Sequence, residues 1–165
     1  MSGIGNGLLA PQMTTTRAQM VQILYNLAGD PEVRGTTPFT DLTDDWYQDA
    51  VLWGYQTGVV AGTSATTFSP NDPVTREQAA VLLMGYAEKI AQVDLSGAQA
   101  DLSRFPDGDQ VSDWARTQMS AAVALGLISG VPIDGRDYLC PQDSATREQV
   151  ATILMAFCRN VLQKP

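Results

Sequence analysis

The chain has 165 residues, 44% hydrophobic and 17% charged, with a formal net charge of −8. That balance is too apolar for a disordered chain, and no apolar run approaches the roughly 20 residues of a membrane-spanning helix. The negative field repels polyanions, which argues against a nucleic-acid partner and requires any anionic ligand to be held by local groups. Histidine is absent, which removes the commonest general base and the imidazole metal ligand; no catalytic group, metal or cofactor is expected.

The chain opens with Met1-Ser2-Gly3-Ile4-Gly5, which lacks the basic and apolar regions of a signal peptide. A secreted parent would carry its signal outside this piece. The first predicted element is a helix from Arg17 to Ala28, introduced by Thr16-Arg17-Ala18-Gln19 and preceded by Pro11. Met20, Ile23, Leu24 and Leu27 fall on one of its faces. Gly29-Asp30-Pro31 to Thr37 reads as a connector.

A second block begins at Phe39-Thr40-Asp41, followed by Asp45 and Trp46. Asp45 reads as an N-cap and Gly58 as the left-handed stop of a short helix. A loop from Gly62 to Pro70 leads to Thr75-Arg76-Glu77-Gln78 and a further helix carrying Ala79, Leu82, Leu83 and Tyr86. Val93 to Ser103 is another connector.

The third block repeats the second. Phe105-Pro106-Asp107, Asp113, Trp114, Gly126 and Gly130 reappear in order, and then Pro141 and Thr146-Arg147-Glu148-Gln149. Val150, Ile153, Leu154 and Phe157 continue the apolar face. The loop from Gly130 to Pro141 is longer than its counterpart and contains Val131-Pro132-Ile133-Asp134-Gly135-Arg136-Asp137. The chain is thus a tandem array of two and a half helix-loop-helix repeats, at 1–29, 38–89 and 104–162, the first represented only by its second half.

Each Thr-x-x-Gln before an apolar helical run is a capping box. The arginine beside it is harder to place, because a cation next to the positive end of a helix dipole is unfavourable by about 0.3–1 kcal/mol. Two readings stand for Arg17, Arg76 and Arg147. Each contacts an anionic ligand at the helix N-terminus, or each bridges to a carboxylate of a neighbouring repeat, such as Asp41 or Asp107. At N1 the arginines are expected to be exposed. Trp46 and Trp114 anchor the core or stack on a sugar, the former weighing more. Trp53 has Ala121 at its equivalent position and falls outside the repeat. Asp107-Gly108-Asp109 with Asp113 has a faint calcium-loop character, but Gln118 stands where the loop needs Glu. Cys140 and Cys158 occupy small-residue slots and read as free thiols.

The ordered set of Phe-x-Asp, Trp, two spaced glycines, Phe68-Ser69-Pro70-Asn71 and Thr-Arg-Glu-Gln resembles the S-layer homology domain. Gly62-Thr63-Ser64-Ala65-Thr66-Thr67 is especially similar to members of that family. The resemblance implies an all-α, pseudo-threefold array around a shared helical core. It also implies non-covalent attachment outside the cell to anionic secondary wall polysaccharide, often bearing pyruvylated amino sugars. By match, Arg17, Arg76 and Arg147, with Thr16, Thr75 and Thr146, line grooves between repeats, and the groove at Arg76 is the best-formed. A degenerate array serving only as an assembly module is the alternative. Lacking the tryptophan helix of the first repeat, the face of Met20 to Leu27 is expected to be covered by a second chain in a dimer or by residues 90–102.

Overall fold

The computed structural model describes residues 13–163. Five α-helices carry the fold among them: α1 Arg17–Leu27, α2 Gln48–Thr57, α3 Arg76–Lys89, α4 Arg116–Ala124 and α5 Arg147–Asn160. Pro11 and Gly3 lie outside the described residues. The only sheet among the described residues is a two-stranded antiparallel hairpin, β1 Val131–Ile133 with β2 Arg136–Tyr138. It fills the longer third loop. Asp134 and Gly135 turn it with φ of 50° and 79°, the left-handed pair that suits a two-residue hairpin.

All three predicted capping boxes form. Thr16, Thr75 and Thr146 accept from the amides of Gln19, Gln78 and Gln149, whose side chains accept from the threonine amides in return. The helices that follow differ in how they are covered. α2 packs against α1 and α4 against α3, so each tryptophan-motif helix lies on the arginine helix of the copy before it. The sequence repeat is therefore not the packing unit. Consequently the face of α1 is not vacant: Met20, Val21 and Leu24 are buried, with Ile23 and Leu27 half-buried. The segment at residues 90–102 runs elsewhere, the amide of Ala100 donating to Ser120 on α4. The premise for a dimer through α1 is removed.

The open face belongs to α5. Leu24 and Leu83 are buried, and so are Tyr25 and Met84 one residue on. Their equivalents on α5 are Leu154, half-buried, and Met155, 62% exposed.

The helix N-termini meet in a cycle of backbone hydrogen bonds. The amide of Thr15 donates to Ala145, that of Ala145 to Val74, and that of Val74 to Thr15. One step out, Arg17 donates its amide to Asp72, Arg76 to Asp143 and Arg147 to Met13. Positions that correspond in the sequence thus occupy corresponding places around the cycle. At the other end, Tyr25, Trp53, Tyr86 and Phe157 form a run of ring contacts with centroids 5.7, 6.3 and 5.9 Å apart. Trp53, outside the repeat pattern, is core.

Asp45 and Asp113 do not cap their helices. α2 begins after Tyr47 with no side-chain cap, and Asp113 opens a short 3-10 turn, Asp113–Ala115. The glycine stops do form, with φ of 80° at Gly58 and 76° at Gly126. Trp46 and Trp114 are not core anchors either: they are 51% and 58% exposed, while their neighbours Tyr47 and Ala115 are fully buried. The N-caps of α2 and α4 are Tyr47 and Ala115, two residues beyond the expected aspartates, and these residues rather than the tryptophans point inward.

Candidate functional site

Arg17, Arg76 and Arg147 are buried, not exposed as N1 residues were expected to be. Each helix N-terminus abuts the neighbouring repeat, the amides of Arg17, Arg76 and Arg147 donating to Asp72, Asp143 and Met13. Arg17 Nε donates to the carbonyl of Phe68 at 2.9 Å and Nη2 to that of Ala61 at 3.1 Å, with its guanidinium 4.7 Å from the Phe68 ring centroid. Arg76 Nε donates to the carbonyl of Leu139 at 2.8 Å. Burial lowers the pKa of both arginines; Asp72 and Asp41 oppose this at Arg17, and Cys140, Asp143 and Asp107 at Arg76.

Asp41 and Asp107 form no direct ion pair with these arginines within 4.0 Å among the described residues. They grip the loops instead. Asp41 accepts from the amides of Phe68 and Ser69 at 2.9 and 2.8 Å, and Asp107 from those of Leu139 and Cys140 at 2.8 and 2.9 Å. The gripped residues Ser69 and Cys140 have φ of 59° and 51°, a strained region for residues with a side chain. One peptide unit thus separates Asp41 from Arg17 and Asp107 from Arg76: the carboxylate holds the N–H of Ser69 or Cys140, and the guanidinium holds the carbonyl of the residue before it, Phe68 or Leu139. The Asp107 carboxylate is thereby committed to the loop rather than to a cation site.

Two grooves open at these positions. One, of about 310 Å³, is lined by Arg76, residues 127–132, and Thr146, Gln149 and Thr152 of the next repeat. The other, of about 430 Å³, is lined by Arg147, Thr15, Gln19, Gln22, Ile23 and Trp46. The structure therefore brings Trp46 to the Arg147 groove. It places Trp114 near the start of α3, since the turn Asp113–Ala115 packs on that helix. The threonines act chiefly as caps, Thr146 also lining the Arg76 groove.

Three contributors escaped the sequence pattern. Glu77 is buried and accepts from the amide and hydroxyl of Ser112 at 2.9 and 2.7 Å, tying α3 to the third repeat; Glu148, its equivalent, is exposed at the edge of the Arg76 groove. Thr15 and Gln22 enter the Arg147 groove at positions where the other copies have Val74 with Val81, and Ala145 with Thr152. Only that departure from the repeat could have marked them.

An S-layer homology domain model matches residues 1–21, 38–80 and 104–151. The chain belongs to the S-layer homology (SLH) domain family. Relatives of this SLH chain include a surface-layer 125 kDa protein of Lysinibacillus sphaericus, 35% identical over 100% of this chain and 13% of that protein. A cellulosome-anchoring protein of Acetivibrio thermocellus is 28% identical over 98% of this chain and 36% of its own length. An amylopullulanase of Thermoanaerobacterium thermosulfurigenes is 28% identical over 93% of this chain but only 8% of itself. The SLH array thus spans a minor part of each of these relatives.

Proposed function

We propose that this chain is a non-catalytic anchoring module that holds its parent protein outside the cell by binding an anionic wall polysaccharide. The observation that carries the reading is the recurrence of a buried arginine at the seam between SLH repeats, with a groove beside Arg76 and another beside Arg147. A guanidinium carries five N–H donors in a fork suited to carboxylates, and the bond to Leu139 occupies one donor of Arg76. The remaining edge supplies the local positive charge that a chain of net charge −8 needs to hold an anion. Relatives named as a surface-layer protein and a cellulosome-anchoring protein support the location.

Copies 1–29, 38–89 and 104–162 are the units of this array, and the cycle of bonds through Thr15, Val74 and Ala145 supports a pseudo-threefold arrangement of them. No helix among the described residues is long and apolar enough to cross a membrane. The alternative, an assembly module without glycan affinity, draws on Arg17, two of whose nitrogens already hold loop carbonyls. Sedimentation with purified wall sacculi, before and after chemical extraction of their polysaccharide, decides between the two. Co-sedimentation that disappears on extraction supports anchoring; equal retention, or none, overturns it.

A further inference from the structure

The third copy departs from the second at three positions that the fold brings together. In the second copy Tyr55, nine residues after Trp46, packs edge-on against Phe39 with ring centroids 5.5 Å apart. Its equivalent after Trp114 is Val123, and beside this smaller side chain and Phe105 there is an opening of about 430 Å³. Pro38, which precedes Phe39, becomes Arg104 before Phe105, and the longer third loop adds Arg136 on β2. Both arginines line the opening together with Asp137. The Arg104 guanidinium lies 4.9 Å from the Phe105 ring centroid.

These two cations are uncommitted. Arg34 pairs with Glu32 and Arg116 with Asp113, but neither Arg104 nor Arg136 makes an ion pair among the described residues. Asp101, whose charge Arg104 feels, is held by the amide and hydroxyl of Ser103.

We infer that this opening within the third copy binds a sugar acid, a pyranose ring carrying a carboxylate. It shares Ile128 and Ser129 with the Arg76 groove, but none of Arg17, Arg76 and Arg147 lines it. Two guanidinium forks suit a carboxylate, and Phe105 with Val123 supplies an apolar floor for the ring. Asp137 decides against a bare oxyanion. An ionised carboxylate only accepts hydrogen bonds, so it repels a naked anion and favours a ligand that also brings hydroxyl donors. The inference goes beyond the anchoring reading, because it uses no arginine of the Thr-Arg-x-Gln motif and is tested on a monosaccharide.

The test is an NMR titration of the amides of the full chain with glucuronate, glucose and inorganic phosphate in parallel. Glucuronate is expected to shift the amides of Arg104, Phe105, Arg136 and Asp137 and to leave those of Arg17, Arg76 and Arg147 in place. Glucose and phosphate at the same concentration should shift them far less. Arg104→Gln and Arg136→Gln should each weaken glucuronate about threefold to fivefold, as for a charge contact partly open to water. Asp137→Asn should narrow the preference for glucuronate over phosphate, which a merely structural role would not do. Val123→Tyr, which installs the residue of the second copy, should close the opening and abolish the response. The two arginine variants, at exposed positions, decide the matter where the tyrosine disturbs the buried side of α4. Equal shifts with glucuronate and phosphate, shifts centred on the motif arginines, or unchanged affinity in both arginine variants would each overturn the assignment. No wall polymer enters the titration, so a failed sacculus experiment leaves its result standing, and a negative titration leaves the anchoring function standing.

Discussion

Arg76 and Leu139 lie 63 residues apart and are joined by a 2.8 Å hydrogen bond from Nε to the carbonyl oxygen. Leu139 is fully buried, so truncating Arg76 strands a carbonyl where water does not reach. Such a group costs about 1–3 kcal/mol. Arg76→Ala is therefore expected to lower stability by about that amount in urea denaturation, as well as weakening glycan affinity. Arg76→Lys keeps a charged donor and should lose less. An unchanged urea midpoint in Arg76→Ala would show that the bond to Leu139 carries no weight in solution.

The capping boxes lend themselves to a cleaner measurement, because the threonine side chains do little else. Thr75 Oγ1 accepts from the Gln78 amide at 3.2 Å, and the Gln78 side chain accepts from the Thr75 amide at 3.0 Å. Thr75→Ala should cost about 1 kcal/mol and Thr75→Ser a few tenths, read from thermal unfolding. A loss as large for serine as for alanine would mean that the methyl group, not the hydroxyl, matters.

Much of this was legible in the sequence, and the failures share a cause. Helix positions, caps and glycine stops are local, set within a few residues, and the Thr-x-x-Gln and Trp-to-Gly spacings report them directly. The partner of each helix is not local. Nothing in the register of Met20, Ile23, Leu24 and Leu27 says whether α2 belongs on α1 or on α3. Likewise, N1 of an isolated helix is exposed, and Arg76 is buried only because the loop of the third repeat folds over it. The Phe-x-Asp carboxylates were expected to meet a charge; the loop amides of Phe68, Ser69, Leu139 and Cys140 lay closer, and backbone donors carry no sequence signal.

Helix pairing across copies makes a quantitative contrast between equivalent leucines. Leu24 is buried beneath α2, whereas Leu154 at the same repeat position on α5 is half-buried. Leu24→Ala should cost about 2–5 kcal/mol, the usual range for a buried leucine. Leu154→Ala should cost less, since part of its surface already faces water. Chemical denaturation of both variants reads the difference. Equal losses would show that the α5 face is covered in solution.

The clamp formed by Asp41 predicts how stability responds to acid. Burial alone would raise the carboxyl pKa. The amides of Phe68, Ser69 and Asp41 itself, with the charge of Arg17, outweigh that and hold it below the ordinary value of 3.8. A folded-state pKa below the unfolded one means the unfolded chain takes up the proton first as pH falls. The clamp's stabilisation is therefore fully present above 3.8 and lost as pH drops through the lower, folded value. Asp41→Asn cannot titrate, and it replaces one of the two accepting oxygens with an amide nitrogen that cannot take the bond from the Phe68 or Ser69 amide. The variant should be less stable than the parent at neutral pH, with the gap narrowing as the solution is taken below about pH 4. Urea midpoints measured across that range test this. A constant gap between the two proteins down to the lowest pH would show that Asp41 holds the loop without being ionised.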